Sequence, residues 1–110
     1  MTNKVRPPTP LPVARAIATL GEDVSKARRR RRLSRGSLAE RSGISEATLK
    51  RLERGDGAVA LENLARTLYV LGELGRLDRL LDPATDELGM QLADEQLPKR
   101  VRARKSSGAM

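Results

Sequence analysis

The side chains available for chemistry in this 110-residue chain are strongly biased towards cations. Lysine and arginine number 22 against 14 acidic residues, which gives a formal net charge of +8 and an isoelectric point of about 11.0. Histidine and cysteine are both absent, so the commonest zinc ligands, the commonest general base and all disulfide chemistry are missing. The charge imbalance instead indicates a polyanionic partner, either a nucleic acid or an acidic membrane face.

The sequence lacks the patterns on which most enzymes depend. It has no Gly-rich phosphate-binding loop and no carboxylate pair at a telling spacing. A catalyst built from this chain would need carboxylates, serine or lysine gathered in a pocket. We therefore expect no catalytic residue, no metal and no cofactor.

One segment, residues 34–55, places polar side chains in an ordered local frame. Ser34 and Ser45 stand at expected helix N-caps, and Gly43 between them suits a left-handed helix end. The pattern predicts two short helices joined by a tight turn, the second with an open face that fits a major groove about 12 Å wide. The residues presented there are Ser45, Glu46, Ala47, Thr48, Lys50, Arg51 and Arg54.

The elements around this segment are predicted to be helical. Aromatic residues make up 1% of the chain, so the core must consist of aliphatic side chains, which favours helices over a sheet. Apolar spacing predicts helices at 13–32, 35–42, 46–54, 61–71 and 73–81, and a weaker one at 84–93. The inward stripe of the first helix would be Val13, Ile17, Leu20, Val24 and Ala27, with Gly21 as a weak point. The fold class is all-α, a compact bundle of about five helices.

The expected domain organisation has three parts. A proline-rich arm covers 1–11, the helical domain covers 12–82, and an extension with a basic tail covers 83–110. No apolar run reaches the roughly 18 residues of a membrane span, and no signal peptide is recognisable. We expect a cytoplasmic, nucleoid-associated protein without a membrane partner.

Residues 20–75 resemble the Cro/cI-type (XRE) helix-turn-helix family of phage and bacterial repressors. The matching positions are Leu33-Ser34, Leu38-Ala39, Gly43, Ser45, Thr48-Leu49 and Leu52-Glu53-Arg54-Gly55. The resemblance implies a lambda-repressor-like DNA-binding domain of five helices, dimeric on a palindromic operator of double-stranded DNA. Arg35 departs from the family, which often has glutamine at that position.

The resemblance also implies roles for individual residues. It places Glu46, Ala47 and Arg51 nearest the base edges, where they suit a cytosine amine, a thymine methyl and a guanine respectively. It pairs Glu53 with Arg28 in a structural ion pair. From their charge, Lys50, Arg54 and Arg35 are candidates for phosphate contacts, which position a protein without reading sequence.

A finer resemblance is to the HipB-like antitoxins, which repress their own operon and bind a HipA-like kinase toxin. It lies in Leu20-Gly21-Glu22-Asp23, the run Arg28 to Arg32, Leu71-Gly72-Glu73-Leu74 and Asp94-Glu95-Gln96-Leu97-Pro98. It implies a kinase toxin as a second partner.

A leucine stripe in the predicted fifth helix favours a homodimer. Its members are Leu74, Leu77, Leu80 and Leu81. A five-helix core cannot bury the whole stripe, so a two-fold partner is the expected cover, with ordinary core packing as the alternative.

Other functions remain open from the sequence. The fold also suits a stand-alone repressor without a toxin, a module that binds protein in place of DNA, or a coat that ignores DNA sequence. The cations of the tail, Lys99, Arg100, Arg102, Arg104 and Lys105, would add salt-sensitive DNA affinity, contact a toxin or merely aid solubility.

Overall fold

The computed structural model describes residues 6–95, so residues 1–5 of the expected arm and residues 96–110, which carry the five tail cations, lie outside the described part. The described residues form six helices and no strand. The helices are α1 (Leu11–Arg30), α2 (Arg35–Ser42), α3 (Glu46–Glu53), α4 (Leu61–Leu71), α5 (Leu74–Asp78) and α6 (Glu87–Glu95). The predicted all-α class is confirmed.

The chain divides into two compact units, the first ending at Leu77 and the second beginning at Asp78. In the first unit, α2 packs against α3 and α4, and α1 packs against α3. The buried apolar residues are Val24, Leu38, Ala39, Leu49, Leu52 and Leu71. Every one of α1 to α4 therefore supplies at least one side chain to a single aliphatic core.

The N-terminal half of α1 does not contribute to this core as predicted. Pro12 lies in the first turn, as proline prefers, but Val13 and Leu20 are exposed and Ile17 is only half-buried. In α4, Leu61 is likewise exposed. Thr67, by contrast, is fully buried, and its hydroxyl donates to the Asn63 carbonyl at 2.9 Å. Periodicity predicted the helices correctly but not how far the core extends along them.

The last two helices, α5 and α6, differ in length from the prediction. The predicted helix over 73–81 ends at Asp78, and residues 79–82 form a turn in which the Asp82 amide donates to the Arg79 carbonyl. The predicted helix over 84–93 begins later, at Glu87, because Asp86 caps it by accepting from the Gly89 amide at 2.9 Å.

The first four helices share one way of ending. In each, a residue with positive φ follows the helix, and the next amide donates to the carbonyl five residues earlier, which is the Schellman motif. Glycine occupies this position after α2, α3 and α4. After α1 the residue is Arg32, with φ 57°, a conformation that costs a residue with a Cβ about 1–2 kcal/mol.

Gly21 is the point of closest approach between α1 and the end of α3. A Cβ built there would lie 2.5 Å from the Leu52 carbonyl oxygen, 2.8 Å from that of Glu53 and 2.9 Å from the Gly55 amide nitrogen. These are backbone atoms in a hydrogen-bonded turn, so they cannot move aside cheaply. The expected weak point of the helix is therefore a packing contact that only glycine permits.

We expect Gly21→Ala to lower the free energy of unfolding by about 2–3 kcal/mol, the cost of overpacking. Helix propensity alone would instead raise the free energy of unfolding, by up to about 1 kcal/mol. Gly36→Ala in α2 is the matched control, because its Cβ would meet only the flexible Glu46 side chain at 3.4 Å. Urea unfolding of both variants measures the difference, and a Gly21→Ala chain as stable as the control would contradict the packing argument.

Candidate nucleic-acid interface

The turn between α2 and α3 is held by serine caps and a left-handed glycine. Ser34 Oγ accepts from the Ser37 amide, and Ser45 Oγ accepts from the Thr48 amide, both at 3.0 Å. Gly43 has φ 73°, and the Ile44 amide donates to the Ala39 carbonyl at 3.1 Å. The local signals in the sequence therefore produce the predicted helix-turn-helix geometry.

Leucines on the inner face of α3 fix which side of the helix remains open. Leu49 and Leu52 are buried, whereas Glu46, Ala47 and Lys50 are exposed. Arg54, just past the end of the helix, is exposed too. The predicted face of α3 is thus turned away from the core and accessible to a ligand.

Two residues assigned to this face have an additional structural role. The Ser45 hydroxyl donates to Thr48 Oγ1 at 2.9 Å while it accepts from the Thr48 amide. Thr48 is half-buried. These two side chains close the first turn of α3, so they are less available to a ligand than Glu46 or Lys50.

Glu53 and Arg28 form the ion pair that the family resemblance implied. Arg28 Nε donates to Glu53 Oε2 at 2.7 Å, and Arg28 Nη2 donates to Oε1 at 3.2 Å. The two side chains are 10% and 4% exposed, so the pair is largely removed from water. Arg28 Nη1 also donates to the Leu33 carbonyl at 3.0 Å, which ties the pair to the turn after α1.

Arg35 joins the same carboxylate, which the sequence analysis missed. Its Nε donates to Glu53 Oε1 at 3.1 Å, so Glu53 lies between two guanidinium groups. The half-exposed guanidinium of Arg35, a candidate for phosphate contact, is anchored through Nε. Neither Nη atom donates a hydrogen bond to another residue among residues 6–95, so that end of the Arg35 side chain can still contact a phosphate.

Arg51 is also held in place, by Asp56, a residue outside α3 that the sequence analysis did not consider. Its Nε donates to Asp56 Oδ2 at 2.9 Å. The Ala58 amide and the Arg51 guanidinium hold the pKa of the Asp56 carboxyl below its ordinary value. An aspartate directly after the glycine of a Schellman motif, five residues from an arginine, is the signal that would have predicted this contact.

The leucines assigned to a dimer interface differ in exposure. Leu77 is half-buried and Leu74 is exposed in the first unit. In the second unit, Leu80 and Leu81 are exposed, Leu81 by 83%.

Features of other site classes are absent from the described residues. Between residues 6 and 95, acidic side chains do not gather into a group that could hold a metal ion. None of the six helices in that range is long and apolar enough to traverse a lipid bilayer.

Comparisons with known proteins agree with this geometry. A family model described as Helix-turn-helix matches residues 24–68, from the second half of α1 into α4. The crystal structure of the clp gene regulator ClgR from Corynebacterium glutamicum is similar to this chain, with a TM-score of 0.50 and 31% sequence identity. The similarity covers 80% of this chain and 87% of that chain. No curated protein gives a significant match.

The matching family model and the similar structure place the chain among DNA-binding transcription regulators. The chain belongs to the XRE-type helix-turn-helix family.

Replacing Glu53 with alanine would leave the guanidinium of Arg28 buried without its partner. We expect the free energy of unfolding to fall by about 3 kcal/mol, as for other broken buried pairs. Glu40→Ala, at an exposed position of α2, is the control and should change stability by less than about 0.5 kcal/mol. Equal urea midpoints for the two variants would show that the ion pair contributes nothing.

Proposed function

We propose that this protein is a sequence-specific transcriptional repressor that places α3 in the major groove of double-stranded DNA. The observation that carries the proposal is the open polar face of α3, backed by buried Leu49 and Leu52 and fixed by the capped turn before it. A face that is rigidly supported and yet bears no apolar side chain larger than Ala47 suits base edges better than a protein surface.

In this proposal the residues divide into two groups. Glu46, Ala47 and Arg51 read base edges, where arginine suits guanine, glutamate suits cytosine and alanine suits a thymine methyl. Lys50, Arg54 and the free end of Arg35 contact phosphates and set the register of the protein on the duplex. The exposed N-cap residues of α2 and α3 would bring backbone amides and the positive ends of two helix dipoles near the same phosphates.

We propose further that the protein acts as a homodimer without enzymatic activity. Helix-turn-helix proteins read paired half-sites about 34 Å apart, which requires two copies of the reading helix. The exposed leucines Leu80 and Leu81 support an interface that includes their segment, because apolar side chains of this size are costly to leave in water.

The antitoxin role is a narrower proposal that rests on the HipB-like motifs. Two of their glycines have structural explanations in this fold, Gly21 as a contact and Gly72 as a helix end. The support that remains is the exposure of three large apolar side chains of α6, Leu88, Met90 and Leu92, which suits a protein partner such as a kinase. Co-expression with the protein encoded in the adjacent reading frame tests this role: the antitoxin proposal expects a kinase-like protein that forms a complex with this chain, and a stand-alone repressor would yield no complex.

Selection of random DNA duplexes at about 150 mM salt tests the main proposal. We expect an enriched two-fold symmetric site whose half-site centres lie about 10 base pairs apart. Arg51→Ala should relax the preference at one base pair of each half-site by about tenfold, since it removes a base contact.

Lys50→Ala is the matched control, because it also removes one cation from α3. It should weaken binding to all sequences alike and reduce the slope of log affinity against log salt by about 1. Fluorescence anisotropy over a salt series measures both effects. An absence of any enriched sequence would refute specific recognition, and identical behaviour of the two variants would refute the division between base and phosphate contacts.

A further inference from the structure

The guanidinium group of Arg51 is fixed on one edge before any ligand binds. Its Nε donates to Asp56 Oδ2 at 2.9 Å, and its side chain is 41% exposed. Neither Nη1 nor Nη2 donates to another residue within residues 6–95. The free end of the group, with its remaining donors, is therefore the part available to a ligand.

Asp56 is itself held in place, so it can serve as a fixed support. Its Oδ1 accepts from the Ala58 amide at 2.8 Å, and its own amide donates to the Arg51 carbonyl at 3.0 Å. Gly55, with φ 80°, turns the chain so that Asp56 lies beside the last turn of α3. Both carboxylate oxygens and the backbone of Asp56 are thus engaged, which leaves the side chain little freedom to move.

We propose that Asp56 is a positioning residue for base recognition, which holds Arg51 so that its two Nη groups meet the O6 and N7 atoms of one guanine. The inference rests on the proposed function and adds a residue outside α3 to the reading site. Asp56 does not touch DNA in this account, and it acts only through Arg51.

The physical argument depends on what a free arginine would do near DNA. An unrestrained arginine side chain has about 2 kcal/mol of rotamer entropy and can reach several phosphates as easily as one base. Fixing the Nε edge removes part of that entropy in advance and restricts the group to end-on, bidentate contacts. Restriction of this kind favours discrimination between base pairs more than overall affinity.

The charge of Asp56 supports the same conclusion. A carboxylate beside the DNA-facing helix repels phosphates, so it cannot be explained as a contribution to general DNA affinity. Its removal should leave sequence-independent binding unchanged or tighter while recognition of the guanine declines. A purely electrostatic or purely structural role for Asp56 does not predict that guanine recognition declines while sequence-independent affinity is unchanged or rises.

The test compares the wild-type chain with Asp56→Asn, which keeps an oxygen to accept from the Ala58 amide. The matched control is Asp82→Asn, because Asp82 Oδ1 accepts from the Ala84 amide in a similar turn, with no arginine paired to it among the described residues. Affinities are measured for the selected site and for sites changed at one base pair. We expect Asp56→Asn to lower the preference at the Arg51 base pair about 5- to 10-fold and Asp82→Asn to leave it unchanged.

A double-mutant cycle with Arg51→Ala separates positioning from other effects. If Asp56 acts through Arg51, adding Asp56→Asn to Arg51→Ala changes the base preference no further. A preference retained in Asp56→Asn, or lost equally at all base pairs, would overturn the inference while leaving specific repression intact. A wild-type chain with no sequence preference would overturn both the inference and the proposed function.

A measurement without DNA completes the test. The order parameter of the Arg51 Nε–H bond, measured by NMR in the free protein, should fall in Asp56→Asn and stay high in Asp82→Asn. An unchanged order parameter would show that Asp56 does not hold the group, whatever the DNA-binding results.

Discussion

The side chain of Glu53 is only 4% exposed to solvent, and three helices are arranged around its negative charge. Arg28 comes from α1, Arg35 begins α2, and Glu53 ends α3. A buried carboxylate requires charged hydrogen-bond donors nearby, so the three helices cannot rotate independently without exposing or orphaning it. The interaction therefore fixes the orientation of α3, and with it the direction of the face proposed to read DNA.

Local chain chemistry supplies the rest of the frame. The four Schellman endings direct the chain out of each helix at similar geometry, so the path between helices is set largely by the residues at those ends. Of these four endings, the one after α1 has no glycine. Arg32 occupies the strained position there and places a cationic side chain beside the N-terminus of α2. The cation run of α1 is thus partly structural, through Arg28, and partly a surface feature, through its exposed members.

The features predicted correctly from the sequence are those that depend on residues close together in the chain. The bounds of α2 and α4, the caps at Ser34 and Ser45 and the turn at Gly43 all follow from signals a few residues long. The Glu53 pair required a family resemblance, since 25 residues separate it from Arg28. The contact of Gly21 and the second partner of Glu53 depend on how helices meet, which periodicity does not encode. The contact between Arg51 and Asp56 is local, but Asp56 lies past the end of α3, where helical periodicity gives no information.

The length of α1 has a consequence for how the protein opens. Its 20 residues span about 30 Å, yet residues 11–16 have no buried side chain, and packing against the rest of the first unit begins near Ile17. The backbone amides of residues 13–16 are protected by helical hydrogen bonds alone, whereas those around Val24 and Arg28 are protected by the core as well. Amide hydrogen exchange along this one helix should therefore change from local fraying to global unfolding within about two turns, so that a continuous helix contains a boundary between two levels of stability.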